Sequence, residues 1–421
     1  MWRYLLAIII FAAVLIRWHP TTDNAGRVNN LGYESLQTAY SLAHGYGFAN
    51  PFYGALSGPT AHLAPVFPFF VSGVIRVLGD GRSALYVIGW MGTLAAAFQF
   101  SLWPFAARRL GMGFASGVLA AGVWLLIGLP PRTVWEADYV AALVIVLSML
   151  MYKVLTERCS QRYMLIVAAM WGLTILASPV VLLPFGVFVL WTWFRSAATL
   201  EQKLALIAIP ILVLVPWTVR NYRTFHHLFF IRDNLGLELG VSNNPCARYS
   251  LMATEVAQCY IHPNQDPHER QRLMALGEYN YNQQRLREAR QWISDNPAKF
   301  AELTRRRVRA FWFPEDNENP LTARVTVDAV IFWLMTVLSI PGLVSLWRKD
   351  WVGAGICLVW LVAFPPIYYL HMFNARYRVP ILWATFIPAS YAITVVVARF
   401  WPGPRVKSLR ARAGSSQSSA T

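Results

Sequence analysis

Charge is what this sequence has least of. Asp, Glu, Lys and Arg make up 14% of its 421 residues, where a typical soluble protein carries about 25%. Acids are the scarcer sign, 21 against 37 bases. Cysteine is rare as well: four residues with no C-x-x-C spacing, which excludes a zinc ribbon or a thioredoxin-type redox motif. No G-x-x-x-x-G-K-[ST], G-x-G-x-x-G or H-E-x-x-H occurs. A nucleotide-driven pump, a dinucleotide enzyme and a zincin therefore lack their usual signatures.

Apolar surface is what the chain has instead. Hydrophobic residues reach 56%, with 18 Trp, 18 Tyr and 24 Phe, and the mean hydropathy is +0.40. Rings in this number suit the headgroup level of a bilayer. The net charge of +16 does not point to nucleic acid, because the bases cluster between apolar runs, where the positive-inside rule puts them. The reading is an all-α polytopic membrane protein with roughly ten transmembrane helices.

Trp2 to Ile16 reads as an uncleaved first helix, since no small-residue cleavage site precedes Arg17–Trp18. Residues 18–62 are polar and form a first external loop. Leu63 to Gly79 is apolar but interrupted by Pro and Gly, so an interfacial helix is expected there. Spans follow near 83–106, 112–130, 138–155, 162–178, 179–195 and 203–219, then near 327–347, 351–370 and 379–398. Arg108–Arg109, Lys153 to Arg162, Arg195 to Lys203, Arg348–Lys349 and the tail from Arg399 to Arg412 all fall on one side. That side is read as the cytoplasm of a bacterial inner membrane, with both termini there. Four regions result: 1–219, membrane-spanning with a catalytic first external loop at 18–82; 220–324, an external domain; 325–400, further spans; and 401–421, a disordered tail.

Within 220–324, Asp266-Pro-His-Glu269 reads as an N-cap, a Pro at N1 and a capping-box Glu, opening a helix to about Asp295. Asn296–Pro297 opens a second helix. Phe300, Leu303, Val308 and Phe311 form one face, and Arg305, Arg306, Arg307 and Arg309 beside them are expected on lipid headgroups. Cys246 and Cys259 are the only cysteines of the external region and are expected to form a disulfide, the alternative being two buried thiols.

Several polar residues invite a functional reading beside a plain one. Glu34, in the first external loop, is a general base, a metal ligand or a solvated loop acid; Asp23 lies upstream. Glu136 and Asp138 stand at the mouth of a span, as site acids or as helix-start acids that suit the macrodipole. Arg220 and Arg223, with Arg376 and Arg378, oppose the positive-inside trend and suit phosphate, or else headgroups. His62 and His371 lie close by in sequence to these motifs, and Asn243–Asn244 precede Pro245 in a turn.

The order of these features resembles the GT-C superfamily of polyprenyl-phosphate-sugar-dependent glycosyltransferases. Within it, the chain looks like bacterial members related to protein O-mannosyltransferases and the lipid A aminoarabinose transferase. The resemblance rests on Gly32-Tyr-Glu-Ser-Leu and the residues through Phe52, Gly58-Pro-Thr-Ala, Pro65-Val-Phe-Pro, and Pro216-Trp-Thr-Val-Arg-Asn-Tyr. Ile231-Arg-Asp-Asn-Leu-Gly-Leu-Glu, Gly277-Glu-Tyr-Asn-Tyr and Arg376-Tyr-Arg-Val-Pro extend it. The family often has an Asp-Glu pair in the first loop; here Asn29–Asn30 and a single Glu34 stand there. A family Lys beside the interfacial Pro is replaced by Ala64, with His62 near. The resemblance implies an inverting transfer from a polyprenyl-phosphate sugar to a glycan, lipid or protein acceptor. Glu34 would be base or metal ligand (Mg or Mn), and the arginines phosphate binders. The competing readings are a lipid or glycan flippase, which would need polar or broken mid-membrane helices, and a non-catalytic envelope assembly protein. Topology is directly testable: a reporter active only outside the membrane should be silent when fused at 199 and active when fused within 220–324, and strong activity at 199 would overturn the charge-based orientation.

Overall fold

The computed structural model describes residues 1–20, 33–127, 136–314 and 323–400. Asp23 and Asn29–Asn30 lie outside them. After α1 (Trp2–Arg17) come α2 (Tyr33–Ala43) and α3 (Val66–Leu78). The bundle continues through α4 (Arg82–Arg109), α5 (Phe114–Ile127), α6 (Ala137–Thr156), α7 (Gln161–Ala177), α8 (Leu182–Arg195) and α9 (Leu200–Phe225). Six short or medium helices follow: α10 (Leu235–Ser242), α11 (Leu251–Val256), α12 (Pro267–Leu276), α13 (Glu278–Asp295), α14 (Pro297–Trp312) and, between the second and third of three more spans, α17 (Pro366–Leu370). Those spans are α15 (Ala323–Lys349), α16 (Trp351–Ala363) and α18 (Trp383–Phe400). No strand forms among the described residues; two isolated bridges, Ala49 with Pro59 and Ser250 with Phe373, pin loops together.

Among the described residues, six segments are long and apolar enough to cross a membrane: α4, α6, α9, Val327–Lys349, Trp351–Leu370 and α18. Val66–Leu78, Phe114–Ile127, Gln161–Ala177 and Pro179–Arg195 are shorter apolar helices. Their starts follow local chemistry. Thr199 and Gln202 form a reciprocal capping box, so α9 begins three residues before the apolar run suggests. Ser160 caps α7 through the Tyr163 amide, and Asp350 caps α16 through that of Gly353. The shared core is aromatic, with Trp103, Trp171, Trp360 and Trp383 fully buried.

Two expectations for the polar region are corrected. The helix from Asp266 does not run to Asp295: Gly277, at φ 72°, ends α12 and starts α13. A left-handed glycine breaks the helix without the steric cost of a Cβ. Asp266 caps as expected, through the His268 and Glu269 amides. Arg307 does not join the headgroup face of α14. It is buried on the Leu303–Phe311 side, four residues from each, and donates to Ser242 O, Asn243 Oδ1 and Leu370 O.

One segment fastens the first loop to the rest of the polar end. Residues 58–62 run between α9 and α13. Arg220 on α9 donates to Thr60 O (2.7 Å) and Phe48 O (2.9 Å), and Arg232 Nε donates to His62 O (2.8 Å). Asp233 N donates to Ala61 O at 2.9 Å. From the opposite side, the buried Glu278 carboxylate accepts from Thr60 Oγ (2.5 Å) and Ala61 N (2.6 Å). Gly236 allows the backbone approach of α10 to α13; a Cβ there would meet Asn282 O.

Burial raises the Glu278 carboxyl from its ordinary 4.5 to about 7, against the lowering effect of its two hydrogen bonds. Burial likewise raises Asp233 to about 6. A raised folded-state pKa means the native chain holds the proton more tightly. Its stabilising effect is full below about pH 4.5 and is lost as pH rises through about 7. Thermal unfolding in detergent should therefore show stability falling between pH 5 and pH 7.5, by an amount on the order of 3 kcal/mol for Glu278 alone. Glu278→Gln should flatten that dependence, and an unchanged slope would remove Glu278 as its source.

Candidate active site

The clamp sets His62 at the bottom of a polar cluster, and four other pieces of chain complete it. Helix α2 contributes Glu34 from its first turn. The Cys246–Cys259 disulfide, with Cα atoms 5.5 Å apart, fastens the segment that ends in His262 and Asn264. Helix α10 contributes Glu238, one residue after the Leu237 that packs into the polar-end core. The loop after α17 contributes His371; it is held by Met372 N to Ser242 Oγ (3.0 Å) and by backbone bonds of Phe373 to Tyr249 and Leu251.

Glu34, His62 and His262 offer ligand-type atoms that all lie within 4.8 Å of one another. Asn264 Nδ2 donates to Glu34 Oε1 at 2.8 Å, and His262 Nε2 lies 3.7 Å from the same oxygen. The amide of Tyr53 donates to Asn264 Oδ1 at 2.9 Å, which fixes the amide's orientation. The Phe52 ring packs against both imidazoles, at centroid distances of 5.1 Å to His62 and 5.6 Å to His262. His371 Nε2 contacts Glu238 Oε2 at 2.6 Å, and Asn234 Nδ2 donates to Glu238 Oε1 at 3.0 Å.

Burial and charge push the two carboxylates apart. Burial raises Glu34 above its ordinary value, and the negative charge of Glu238 adds to this, while its own backbone hydrogen bond, Arg376 and Arg232 oppose it. Glu238 is also raised by burial, but His371, His62 and Arg232 outweigh that and hold it well below the usual carboxylate range. Burial lowers His62 to about 3 and His262 to about 4, so both rings are neutral at pH 7. A carboxylate poised toward neutrality beside one held ionised is an arrangement suited to proton transfer.

The same residues fit a divalent metal. His62 Nδ1 is buried without a hydrogen-bond partner among the described residues, and neutral imidazoles are the ligating form. Two imidazoles and one carboxylate suit Zn or Mn better than the all-oxygen preference of Mg. His262 has a competing use. Its Nδ1 faces the Asn264 amide at 3.1 Å as acceptor, which leaves the proton of a neutral ring on Nε2, toward Glu34.

The structure sorts the residues nominated from sequence. Glu34, His62 and His371 come together. Arg376 interacts electrostatically with Glu34 and with Glu136, so those three share one region. Arg220 spends its guanidinium on the loop carbonyls and on the faces of Trp217, Phe48 and Phe225. Arg223 is exposed on the last turn of α9. Arg378 is buried, donating to Phe311 O, Trp312 O and Thr336 Oγ1 and lying over Trp312 and Phe332. Asp138 is buried in the bundle and accepts from Gln99 at 2.5 Å. Asn243 and Asn244 donate to backbone carbonyls that finish α10, and Asn243 also donates to Leu370 O at the end of α17. Sequence reasoning did not nominate Glu238, Arg232, His262 or Asn264. The first two lie inside the matched Ile231-to-Glu238 stretch; the last two follow Cys259 and precede Asp266, with only their polarity to mark them.

No family model and no curated protein matches the chain. Solved structures do. The apo oligosaccharyltransferase of Archaeoglobus fulgidus superposes with a TM-score of 0.54 at 13% identity, covering 96% of this chain and 52% of that one. Archaeal oligosaccharyltransferase AglB from the same organism, in complex with an inhibitory peptide and a dolichol-phosphate, gives 0.53 at 14% identity, covering 94% and 50%. The Archaeoglobus fulgidus oligosaccharyltransferase complex with Zn and sulfate gives 0.51 at 13%, covering 94% and 49%. This chain spans about half the length of these neighbours. The likeness is one of architecture: the chain shares the fold of about half the length of these oligosaccharyltransferases.

Proposed function

We propose that the protein is an inverting glycosyltransferase that moves a sugar from a polyprenyl-phosphate donor to an acceptor hydroxyl. The observation that carries this reading is the part-buried Glu34 carboxylate, gathered with the buried His62 and His262 and within electrostatic reach of Arg376 and Arg232. The acceptor oxygen attacks the anomeric carbon, the bond from that carbon to the phosphate oxygen breaks, and the hydroxyl proton passes to Glu34. The lipid leaves as its phosphate, and direct displacement inverts the anomeric centre. Phosphate needs no general acid to depart, unlike a glycoside hydrolysed between two carboxyl groups. Arg376 and Arg232 bind its growing charge. Raising the Glu34 pKa brings the base closer to the working pH, where it is most effective. The dolichol-phosphate bound to the AglB neighbour supports a lipid-phosphate donor.

A divalent metal held by Glu34, His62 and His262 would supply a positive charge beside the donor phosphate; the Zn complex of a neighbour supports that assignment. Glu34 then acts as ligand, and the ionised Glu238 is the remaining carboxylate near the site. Disulfides persist in oxidising compartments, so the Cys246–Cys259 pair supports a reaction at the outer face of the membrane.

Purified protein in membranes with radiolabelled polyprenyl-phosphate sugars tests the reading by asking which label leaves the lipid. Glu34→Gln should cut transfer by about 100-fold or more while expression holds. Metal content measured on the same sample separates the two roles, since a ligand role predicts that bound metal is lost too. Arg376→Ala should raise KM for the donor and lower kcat, with Lys restoring only part because the guanidinium fork is gone. Near-normal turnover in Glu34→Gln would sink the assignment.

A further inference from the structure

A groove of about 320 Å³ lies between α2 and the loop that follows it, within the range of small-ligand sites, roughly 300–1,000 Å³. Gln37, Tyr40, His44, Tyr46, Asn50 and Phe52 line it, and no Asp, Glu, Lys or Arg does. His44, its one imidazole, is engaged at the rim: Nδ1 with Tyr40 O at 2.8 Å and Nε2 with Asp80 at 2.9 Å. Arg270, the guanidinium behind Gly54, donates to Pro263 O and Asn264 O. Among the described residues no lysine or arginine lines the groove to meet a phosphate. Asn50 is likewise committed, donating to Ser41 and accepting from the Gly58 amide. The side chains of Gln37, Tyr40 and Tyr46 make no hydrogen bond among the described residues, and Tyr46 is 71% exposed.

We propose that this groove is a saccharide subsite and that it seats a glycan acceptor. Sugars present C–H faces that pack on aromatic rings and hydroxyls that need donors and acceptors together. Tyr40 and Tyr46 supply the rings, and the Gln37 amide supplies both hydrogen-bonding roles. The place in the fold gives the groove its part in the reaction. Gln37 is three residues beyond Glu34 on α2, which puts the two on one helix face a single turn apart. Phe52 joins the groove to the cluster, lining the first while its ring packs on His62 and His262. A saccharide bound there brings a hydroxyl toward the carboxylate from a side that carries no phosphate-binding arginine. The word acceptor rests on the glycosyl-transfer reading; the binding of a neutral sugar does not.

Full-length protein in nanodiscs, probed by ligand-detected saturation-transfer NMR, tests binding without turnover. Glucose, galactose, mannose, N-acetylglucosamine and their disaccharides serve as probes, with neutral peptides of similar size as the competing class. At least one saccharide should bind saturably, and Gln37→Ala and Tyr46→Ala should each weaken it by roughly ten-fold. Glu34→Gln should retain it, so a failure of the transfer chemistry leaves this result intact. In turnover assays with a glycan acceptor, the same two groove variants should raise acceptor KM and leave donor KM unchanged. Absence of saturable sugar binding to the wild type, or binding indifferent to both variants, overturns the subsite. Peptide binding that Tyr46→Ala abolishes overturns it in favour of a peptide site. Sugar binding lost in the variants with acceptor KM unmoved overturns the acceptor role alone.

Discussion

The polar end of the molecule hangs on how the carbonyls of residues 48–62 are satisfied. A loop crossing a buried surface must find partners for its backbone, since an unpaired buried carbonyl or amide costs about as much as a lost hydrogen bond. Here the partners come from 160 to 218 residues further along the chain. Arg220 and Arg232 supply charged donors from one side, and Glu278 supplies a buried acceptor from the other. Through His62 this arrangement fixes the metal-like cluster. Through Phe52 it also sets the wall that the cluster shares with the neighbouring groove.

That dependence explains why several arginines of the polar end are structural. Arg220 directs its donors at carbonyls within the 48–62 loop, and Arg307 and Arg378 direct theirs at carbonyls where helices end. Guanidinium suits this work because its planar fork satisfies two or three acceptors at once and stays charged when buried. The consequence for chemistry is a division of labour. Arg220 builds the loop that carries His62, whereas Arg232 and Arg376 stand within electrostatic reach of Glu34. A substitution at Arg220 therefore acts on the site through the fold, and one at Arg376 acts on it through charge.

Electrostatics within the cluster follow from the same burial. Histidines removed from water lose the proton and become ligands or hydrogen-bond partners. Glu238, in contact with His371, is held low, and Glu34, without such a contact, is raised. The imbalance between Glu34 and Glu238 is thus a property of their neighbours and not of the acids themselves.

The sequence by itself determined the membrane-spanning class and the approximate place of each apolar helix, because bilayer thickness imposes run length and composition directly on the chain. It also determined local events: the Asp266 cap and the Pro297 start of α14. It did not reveal the Gly277 break, since a glycine between two helical patterns is visible only as a weak preference until the backbone turns there. Tertiary structure alone decided which charges serve the site. Charge is written in the sequence, but whether a guanidinium meets a carbonyl of its own fold or an open cluster depends on contacts between distant segments. The same holds for His262 and Asn264, which carry no motif and reach Glu34 only because the disulfide-bonded loop folds back over α2.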